Sequence, residues 1–348
     1  MSKEKIRVGV VGIGMGKAHM DGFLKDERCE LVAICDINEE GVKNIANEKG
    51  IQQTYTDAED MFRSANLDAV SIAVPNCLHN PLTIAALQEG LHVLCEKPMA
   101  MTVAEAEEMK RVADEKGKHI MLNFSFRYHP TTQSLKQVVD AGLVGDIYAG
   151  KTFWHRRRGM PGFGGWFGNK ELSGGGPLID LGVHRLDLAL WLMGYPNPIA
   201  VSGATYDPIA RAEADKQGKH YSVEDLAMGF VRFDNGACLS VEASWAVNQK
   251  ERELMETKLY GTKAGIAQRN LDQGYEFEAE IYNEIAGCYY TQKLDIPADS
   301  NMSAYYEFIS SLSEGRAPTA TADQGIKVQK ILEGLYRSAE EKCEVRFD

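Results

Sequence analysis

Near the N-terminus the chain reads Ile6-Arg7-Val8-Gly9-Val10-Val11-Gly12-Ile13-Gly14-Met15-Gly16. Residues 6–11 of this segment, which are mostly apolar, predict a buried parallel strand, and a helical pattern follows over residues 17–26. Glycines between such a strand and such a helix let the backbone approach a pyrophosphate, whose charge is held by the N-terminus of the helix. The segment therefore predicts a dinucleotide-binding turn. The cofactor contacts expected within it are Gly12, Ile13, Gly14 and Met15.

The glycine spacing in this turn is G-x-G-x-G, one residue shorter than the usual G-x-G-x-x-G. A plain tight turn is the alternative reading, and the effect of the shorter spacing on the pyrophosphate contact stays open. The acidic partner of the turn is Asp36, which ends the second predicted strand 22 positions after Gly14. A carboxylate there accepts hydrogen bonds from both ribose hydroxyls and repels a 2′-phosphate, so the expected cofactor is NAD rather than NADP.

Strands and helices alternate as far as about residue 125. Further strands are predicted at 31–36, 69–74, 92–95 and 119–124, with helices at 39–49, 79–89 and 103–116. This alternation is typical of a parallel sheet with helices on both faces. We therefore expect an α/β protein whose first domain, residues 1–125, is a doubly wound Rossmann sheet.

The pattern changes after residue 126. Alternating β-branched and aromatic residues predict strands at 225–233, 237–245 and 254–260, and Asp234-Asn235-Gly236 predicts a hairpin. Helices return at about 303–313 and 322–342. We expect a second, substrate-binding α/β domain, residues 126–348, with a large open and mostly antiparallel sheet. Because an open sheet face usually needs covering, a homodimer or homotetramer through this sheet is expected.

The composition argues against several classes of partner. A chain of 348 residues, 44% hydrophobic and 25% charged, is typical of a soluble protein of two domains. The net charge of −12 argues against nucleic-acid or acidic-membrane binding. Seven scattered cysteines without a C-x-x-C pair favour a reducing compartment, and no metal site is expected. No apolar run reaches the roughly 18 residues of a membrane span. A strand beginning at residue 6 leaves no room for a signal peptide, so the cytoplasm is the expected location.

Two further motifs follow predicted strands, where parallel sheets bind ligands. The first is Pro75-Asn76-x-x-His79, in which Asn76 is either a cofactor contact or a turn residue before a helix. The second is Cys95-Glu96-Lys97-Pro98. The proline keeps Lys97 out of a helical conformation and directs its ammonium to the end of the strand. Lys97 is therefore a candidate charge near a reacting centre.

A glycine-rich segment, residues 174–187, leads into a predicted helix over 180–193. At about 100° per residue, Asp180, His184 and Asp187 fall within roughly 60° of one another on one face of that helix. A carboxylate one turn from an imidazole can orient the ring for general-base catalysis. The alternative is a buried histidine with a structural role.

These motifs resemble those of the glucose–fructose oxidoreductase, inositol dehydrogenase and MocA family of NAD(P)-dependent sugar dehydrogenases. The resemblance covers nearly the whole chain. The matching residues are Gly12-Ile13-Gly14 with His19, Asp36, Pro75-Asn76-x-x-His79, and residues 90–98, 175–187, 318–320 and 336–339. The cofactor contacts that it implies beyond the glycine turn are Asp36, Pro75, Asn76, His79, Glu96 and Lys97.

The resemblance also implies catalytic roles. Lys97 would donate a hydrogen bond to the reacting hydroxyl, and His184 would take the hydroxyl proton as hydride leaves for nicotinamide. Asp180 would orient the substrate or support that proton transfer. Some members use a tyrosine as the acid/base, and Tyr128 is the candidate for that role here, but His184 makes it unnecessary.

The loop over residues 154–167 is rich in aromatic, arginine and glycine residues. Indole rings stack on sugar rings, and arginine binds hydroxyls or a carboxylate, so the loop is a candidate pocket wall. The alternative is an oligomer interface, especially for residues 156–158. The loop is similar to that of members acting on unphosphorylated cyclic sugars or anhydrosugars, while a sugar acid or phosphate stays open. The expected substrate contacts are Arg127, Tyr128, Trp154, Arg157, Trp166, Asp180 and His184.

The function expected from the sequence is NAD-dependent oxidation of a secondary hydroxyl of a sugar, anhydrosugar or cyclitol to the keto compound. One alternative is a redox-assisted glycosidase, which oxidises its substrate only transiently. Another is a nucleotide-binding regulatory protein without catalysis.

Overall fold

The computed structural model describes residues 5–294 and 302–347. These residues form two units, which are described separately below. The first comprises residues 5–124 and 302–326, and the second comprises residues 125–294 and 327–347.

The strands and helices are numbered in chain order. The strands are β1 (Ile6–Val11), β2 (Cys29–Cys35), β3 (Gln53–Tyr55), β4 (Ala69–Ile72), β5 (His92–Cys95), β6 (Ile120–Leu122), β7 (Ile147–Arg156), β8 (Pro198–Tyr206), β9 (Leu226–Phe233), β10 (Cys238–Ser244), β11 (Glu253–Gly261), β12 (Ala264–Asn270), β13 (Phe277–Ile285), β14 (Cys288–Lys293) and β15 (Val345–Arg346). The helices are α1 (Gly16–Phe23), α2 (Glu39–Lys49), α3 (Ala58–Ser64), α4 (His79–Gln88), α5 (Val103–Lys116), α6 (Pro130–Asp140), α7 (Lys170–Ser173), α8 (Val183–Leu192), α9 (Pro208–Lys216), α10 (Ala304–Glu314) and α11 (Ala322–Glu341).

The first unit contains the predicted doubly wound sheet. Its six strands lie in the order β3-β2-β1-β4-β5-β6, and every pair is parallel. The strand order reverses between β1 and β4. In such sheets ligands bind at the carboxyl ends of the strands beside this reversal. The prediction of a Rossmann sheet is therefore confirmed.

Local sequence explains where the helices of this unit begin and end. The hydroxyl of Thr102 accepts a hydrogen bond from the backbone N–H of Glu105, whose side chain caps Thr102 in return, so α5 begins with a capping box. Gly117 ends that helix in the left-handed conformation at φ 62°. At the start of α2 the side chain of Asn38, the N-cap residue, accepts a hydrogen bond from the backbone N–H of Gly41.

The first unit also includes a segment from near the C-terminus, which differs from the predicted division at residue 125. Helix α10 packs on α1 through the ring of Tyr305, whose centroid lies 4.9 Å from that of His19 and 5.6 Å from that of Phe23. A Cβ on Gly22 would lie 2.1 Å from Cδ2 of Tyr305, so only glycine admits this ring. The contact joins residues nearly 300 positions apart, and no local pattern in the sequence indicates it.

The second unit contains the predicted large sheet. Its nine strands lie in the order β14-β13-β12-β11-β7-β10-β9-β8-β15, and β7 and β10 form the parallel pair among antiparallel neighbours. The predicted hairpin joins β9 to β10, with Gly236 at φ 84°. The prediction of a large, mostly antiparallel sheet is confirmed. Within the described parts of the chain, no helix is both long enough and apolar enough to span a membrane.

Candidate active site

The three glycines of the first turn lie in three different environments. Gly12 has φ +95°, and a Cβ there would lie 2.1 Å from the carbonyl oxygen of Ala73, so the turn needs glycine. A Cβ on Gly14 would meet nothing within 4 Å, which leaves that backbone open to a ligand. A Cβ on Gly16 would lie 3.1 Å from Cγ1 of Val10, which shows how closely α1 packs on β1. A tight turn, an open approach and close helix packing are the roles of glycine in a dinucleotide-binding turn, and the shorter spacing fits them.

Asp36 lies beside this turn at the end of β2. Its Oδ2 accepts a hydrogen bond from the backbone N–H of Ile13 at 2.9 Å, and its Oδ1 accepts from the N–H of Asn38 at 2.9 Å. These bonds fix the carboxylate against the glycine turn. Each oxygen keeps a second lone pair with which it can accept from a ribose hydroxyl.

His79 has a different environment from the one expected of a cofactor contact. It is fully buried, with Nδ1 2.7 Å from the carbonyl oxygen of Pro98 and Nε2 3.0 Å from that of Val74. Burial lowers the pKa of His79, although the two carbonyl oxygens oppose that effect. The ring joins the loops that follow β4 and β5. The ring thus positions these loops, and the cofactor contact of His79 stays a prediction.

Glu96 is also buried rather than presented to a ligand. Its Oε1 lies 2.8 Å from Nε2 of His19 and accepts from Nδ2 of Asn123 at 2.6 Å, while its Oε2 accepts from the backbone N–H of Lys97 at 3.2 Å. Burial favours the neutral acid, but the charges and hydrogen bonds of His19, Lys97 and Asn123 outweigh it and lower the pKa of Glu96 to about 2. Glu96 is therefore an anion that holds the backbone of partly buried Lys97, and its cofactor contact stays a prediction.

In the second unit the predicted helix over 180–193 has two parts. Leu178–Gly182 forms a π-helical turn, and α8 begins at Val183. A π-helical turn has more residues per turn than an α-helix, so a rotation of 100° per residue does not apply to Asp180. The common face of Asp180, His184 and Asp187 stays a prediction, while the predicted single α-helix over 180–193 is corrected to a π-helical turn followed by α8.

Asp180 and His184 are both partly exposed. The Nε1–H of Trp245 donates to Oδ2 of Asp180 at 3.0 Å. The ring of His184 lies against two aromatic rings, with centroids 5.1 Å from Phe126 and 6.0 Å from Trp154. An imidazole supported by aromatic rings yet reached by solvent has the access that a general base needs.

Arg127 and Asp187 form a buried ion pair. Nε and Nη2 of Arg127 donate to Oδ2 and Oδ1 of Asp187 at 2.9 and 2.6 Å, and the hydroxyl of Tyr195 also donates to Asp187. Burial opposes the charge of Arg127, but the Asp187 carboxylate outweighs burial and raises the pKa of Arg127. Arg127 is 0% exposed and the neighbouring Tyr128 is 5% exposed. Their predicted substrate contacts stay predictions, and both side chains are buried in this structure.

The glycine loop before the π-helical turn packs on a buried carboxylate. Glu224 accepts from the backbone N–H groups of Gly176 and Leu178 at 2.9 and 3.1 Å, and from the hydroxyl of Tyr336 at 2.8 Å. A Cβ on Gly176 would lie 2.2 Å from the carbonyl oxygen of Glu224, and one on Gly175 would lie 2.1 Å from Oη of Tyr336. The glycines admit this close packing. Sequence reasoning missed Glu224, since nothing near it in the chain signals the loop that it holds.

The aromatic loop contains both buried and exposed side chains. Trp154 is 3% exposed and donates from Nε1 to Oε1 of Glu253 at 2.7 Å, so it supports His184 from within the protein. Arg156 donates to the same carboxylate at 2.9 Å. Arg157 is exposed, and partly exposed Trp166 stacks on Phe167 with a centroid distance of 3.8 Å. Arg157 and Trp166 are therefore the predicted contacts from this loop that remain accessible.

The chain matches two family descriptions. Residues 6–124 match "Oxidoreductase family, NAD-binding Rossmann fold", and residues 132–267 match "GFO/IDH/MocA C-terminal domain". These two matches account for the parallel sheet of the first unit and for much of the sheet of the second.

Similar proteins match the chain over nearly its whole length. D-glucoside 3-dehydrogenase of Escherichia coli (strain K12) is 35% identical over 98% of this chain and 97% of its own. D-xylose 1-dehydrogenase (NADP(+)) 2 of Haloferax volcanii is 26% identical over 98% of both chains. The structure of levoglucosan dehydrogenase in complex with NADH superposes with a TM-score of 0.84 at 24% identity, covering 99% of this chain and 100% of that one, and it shows the shared fold.

Proposed function

The chain belongs to the GFO/IDH/MocA family of oxidoreductases, and from that premise we propose that it oxidises a secondary hydroxyl of a sugar to a ketone with NAD. The substrate class that we propose is a D-glucoside, oxidised at C3. The observation that carries this choice is the 35% identity, over almost the full length of both chains, to a D-glucoside 3-dehydrogenase.

The proposed cofactor site lies at the carboxyl ends of β1, β2 and β4. The turn from Gly12 to Met15 would receive the pyrophosphate, Asp36 the ribose hydroxyls, and Pro75 with Asn76 the nicotinamide half. Fixed by Ile13 and Asn38, the Asp36 carboxylate favours ribose hydroxyls over a phosphate. Bound NAD supplies the acceptor for hydride at the nicotinamide ring.

In the proposed reaction His184 accepts the proton of the substrate hydroxyl at a ring nitrogen. The ammonium of Lys97 donates a hydrogen bond to the same oxygen and stabilises the negative charge that develops there. Asp180, held by Trp245, orients the substrate through its carboxylate. The C–H bond of the carbinol then breaks, and its electron pair leaves with the hydrogen as hydride.

The accessible residues of the aromatic loop fit a neutral sugar. Trp166 has a partly exposed ring for stacking, and the exposed guanidinium of Arg157 can donate to hydroxyls. Trp154 serves the site indirectly, since its ring supports that of His184. We propose these roles for Trp166 and Arg157 within the substrate site.

The test is incubation of the purified protein with NAD and a panel of methyl D-glucosides, free aldoses, inositols and anhydrosugars, with NADH absorbance as the readout. We expect NADH with glucosides. Reduction of the product with borodeuteride, followed by NMR, locates the oxidised carbon. Deuterium at another carbon would overturn the assignment to C3.

Lys97→Ala is the matched variant for this test. It should bind NAD like the parent protein yet lose roughly 10²-fold or more in turnover, the cost of removing one group that stabilises developing charge. Retained turnover would remove Lys97 from the mechanism.

Release of the aglycone without net NADH would favour a redox-assisted glycosidase instead. Unchanged function in a Lys97→Ala, His184→Ala double variant would favour a regulatory protein.

We also propose that two copies associate through the nine-stranded sheet. Met228 and Phe230 are two residues apart on β9, so they share one face, and they are 44% and 37% exposed. Apolar side chains exposed together on a sheet favour association. Light scattering should give the mass of a dimer or tetramer, and Phe230→Glu should lower it. A monomeric parent protein would contradict the proposal.

A further inference from the structure

We propose that His19 is a positioning residue for Lys97, acting through the buried carboxylate of Glu96. The inference rests on the proposed function, because it concerns the lysine assigned there to the reacting hydroxyl. Its physical content is that the helix beginning at the glycine turn and the loop carrying Lys97 form one hydrogen-bonded frame.

The frame is a continuous chain of short contacts within the first unit. His19 lies in the first turn of α1, three residues after Gly16, and is fully buried. Its Nε2 reaches Oε1 of Glu96 at 2.8 Å, and Oε2 of the same carboxylate accepts from the backbone N–H of Lys97 at 3.2 Å. One carboxylate thus joins the helix at the cofactor turn to the residue proposed to hold the substrate oxygen.

Three other elements fix the same carboxylate and ring. Nδ2 of Asn123, which follows β6, donates to Oε1 of Glu96 at 2.6 Å. The Oγ of Ser71, on β4, lies 2.6 Å from Nδ1 of His19. The ring of Tyr305 packs against the imidazole at a centroid distance of 4.9 Å. A rotation of the Glu96 side chain would break contacts with α1 and with the end of β6 together.

The direction of the central hydrogen bond follows from the charge of Glu96. An ionised carboxylate only accepts hydrogen bonds. Nε2 of His19 must therefore carry a hydrogen, while Ser71 can donate to Nδ1 or accept from it. A glutamine at position 19 retains an amide donor of similar reach, whereas a leucine removes the donor and keeps much of the volume.

A role in positioning explains this arrangement better than stability alone does. A buried charge network is weak evidence for stability, since apolar residues of similar volume are often as stable. This network lies one residue from Lys97 and one helical turn from the cofactor turn. The geometry of the network therefore affects the position of Lys97 relative to the cofactor turn, and the proposed reaction needs both.

The experiment compares His19→Leu and His19→Gln with His92→Leu. His92 is the control. It is a half-buried histidine at the amino end of β5, whereas Glu96 and Lys97 follow the carboxyl end of that strand. Its Nδ1 accepts a hydrogen bond from the backbone N–H of His119 at 3.1 Å. The first readout is hydrogen exchange of the Lys97 amide, measured without substrate.

We expect exchange of that amide to be roughly tenfold faster or more in His19→Leu, the effect of weakening a charge-assisted hydrogen bond, and close to the parent rate in His92→Leu. His19→Gln should restore most of the protection. The second readout is turnover, where kcat should fall in His19→Leu while the Kd for NAD changes little. In a protein that already carries Lys97→Ala, His19→Leu should cause no further loss of kcat, because His19 acts through that lysine.

Unchanged exchange at Lys97 in His19→Leu, or an equal effect of His92→Leu, would overturn the inference. If His19→Leu does not fold, Glu96→Gln tests the same link, because a neutral amide is a weaker acceptor for the Lys97 N–H. Faster exchange in these variants, with no sugar oxidised by the parent protein, would uphold the frame and refute the proposed function. Normal turnover in the parent with unchanged exchange in the variants would do the reverse.

Discussion

Asp187 accepts two hydrogen bonds from Arg127, at 2.9 and 2.6 Å, in the interior of the second unit. The pair ties the short 3-10 helical turn Ser125–Tyr128 to α8, in the helical turn after His184. Both side chains are essentially inaccessible to solvent. The pair holds the helix that carries the proposed base.

Breaking this pair from one side should be costly. Asp187→Asn leaves the Arg127 guanidinium buried without a counter-charge, so we expect a loss of about 3–5 kcal/mol in the free energy of unfolding. Denaturant unfolding measures it. The double variant Arg127→Met, Asp187→Leu removes both charges and should recover much of the loss. A cost below about 1 kcal/mol for Asp187→Asn is typical of an ion pair exposed to solvent and would contradict the buried pair.

Alanine at the first two glycines of the cofactor turn should give different defects. Gly12→Ala places a Cβ 2.1 Å from the carbonyl oxygen of Ala73 at φ +95°, so the protein should lose stability by more than about 1 kcal/mol. Gly14→Ala meets no atom of the protein within 4 Å and should fold normally. Its methyl group would occupy the open approach to the turn, so calorimetry should show weaker NAD binding. Unchanged NAD affinity in Gly14→Ala would place the pyrophosphate elsewhere.

The choice between NAD and NADP depends on Asp36. Asp36→Ser removes the charge that repels a 2′-phosphate, so NAD should bind more weakly and the ratio of kcat/KM for NADP to that for NAD should rise, by roughly tenfold or more. Asp36→Asn is the matched control, since it removes the charge at nearly constant size. If neither variant changes the ratio, Asp36 does not select the cofactor.

The sequence predicted the strands and turns that are determined by residues close together in the chain. The strand of residues 6–11 was predicted with its observed bounds, because six successive residues carry its pattern and glycine ends it. The end of β2 at Cys35, one residue before the predicted end at Asp36, and the hairpin at Asn235-Gly236 follow from equally short signals.

The sequence did not predict contacts between distant residues. The ion pair of Arg127 joins it to Asp187, 60 positions away, and Leu178–Gly182 forms a π-helical turn where an α-helix was predicted. Gly175 and Gly176, which precede that turn, pack closely on Tyr336 and Glu224. A single sequence contains no signal for such pairings, since each depends on the tertiary fold.

The buried carboxylate of Glu96 should make the stability of the protein depend on pH in acid. Its pKa is lowered from the ordinary 4.5 to about 2, so the folded state binds the proton less readily than the unfolded chain does. The resulting stability is fully present above pH 4.5 and is lost as the pH falls toward 2. At 1.36 kcal/mol per pH unit this is on the order of 3 kcal/mol. In Glu96→Gln the free energy of unfolding should fall less steeply between pH 4.5 and pH 2, and an unchanged slope would show that Glu96 does not titrate with folding.

The proposed base should appear in the pH dependence of the rate. A histidine accepts the hydroxyl proton only when its ring is neutral, so kcat/KM for sugar oxidation should fall as acid protonates His184. His184→Asn keeps a polar side chain of similar size but cannot take the proton, and we expect it to lose roughly 10²–10⁴-fold in kcat/KM. The residual activity of His184→Asn should no longer show the same acid limb, while its NAD affinity should match that of the parent. Tyr128→Phe is the control, because Tyr128 is buried and His184 is assigned the role of base. A profile that keeps its acid limb in His184→Asn and loses it in Tyr128→Phe would transfer the role of base to the tyrosine.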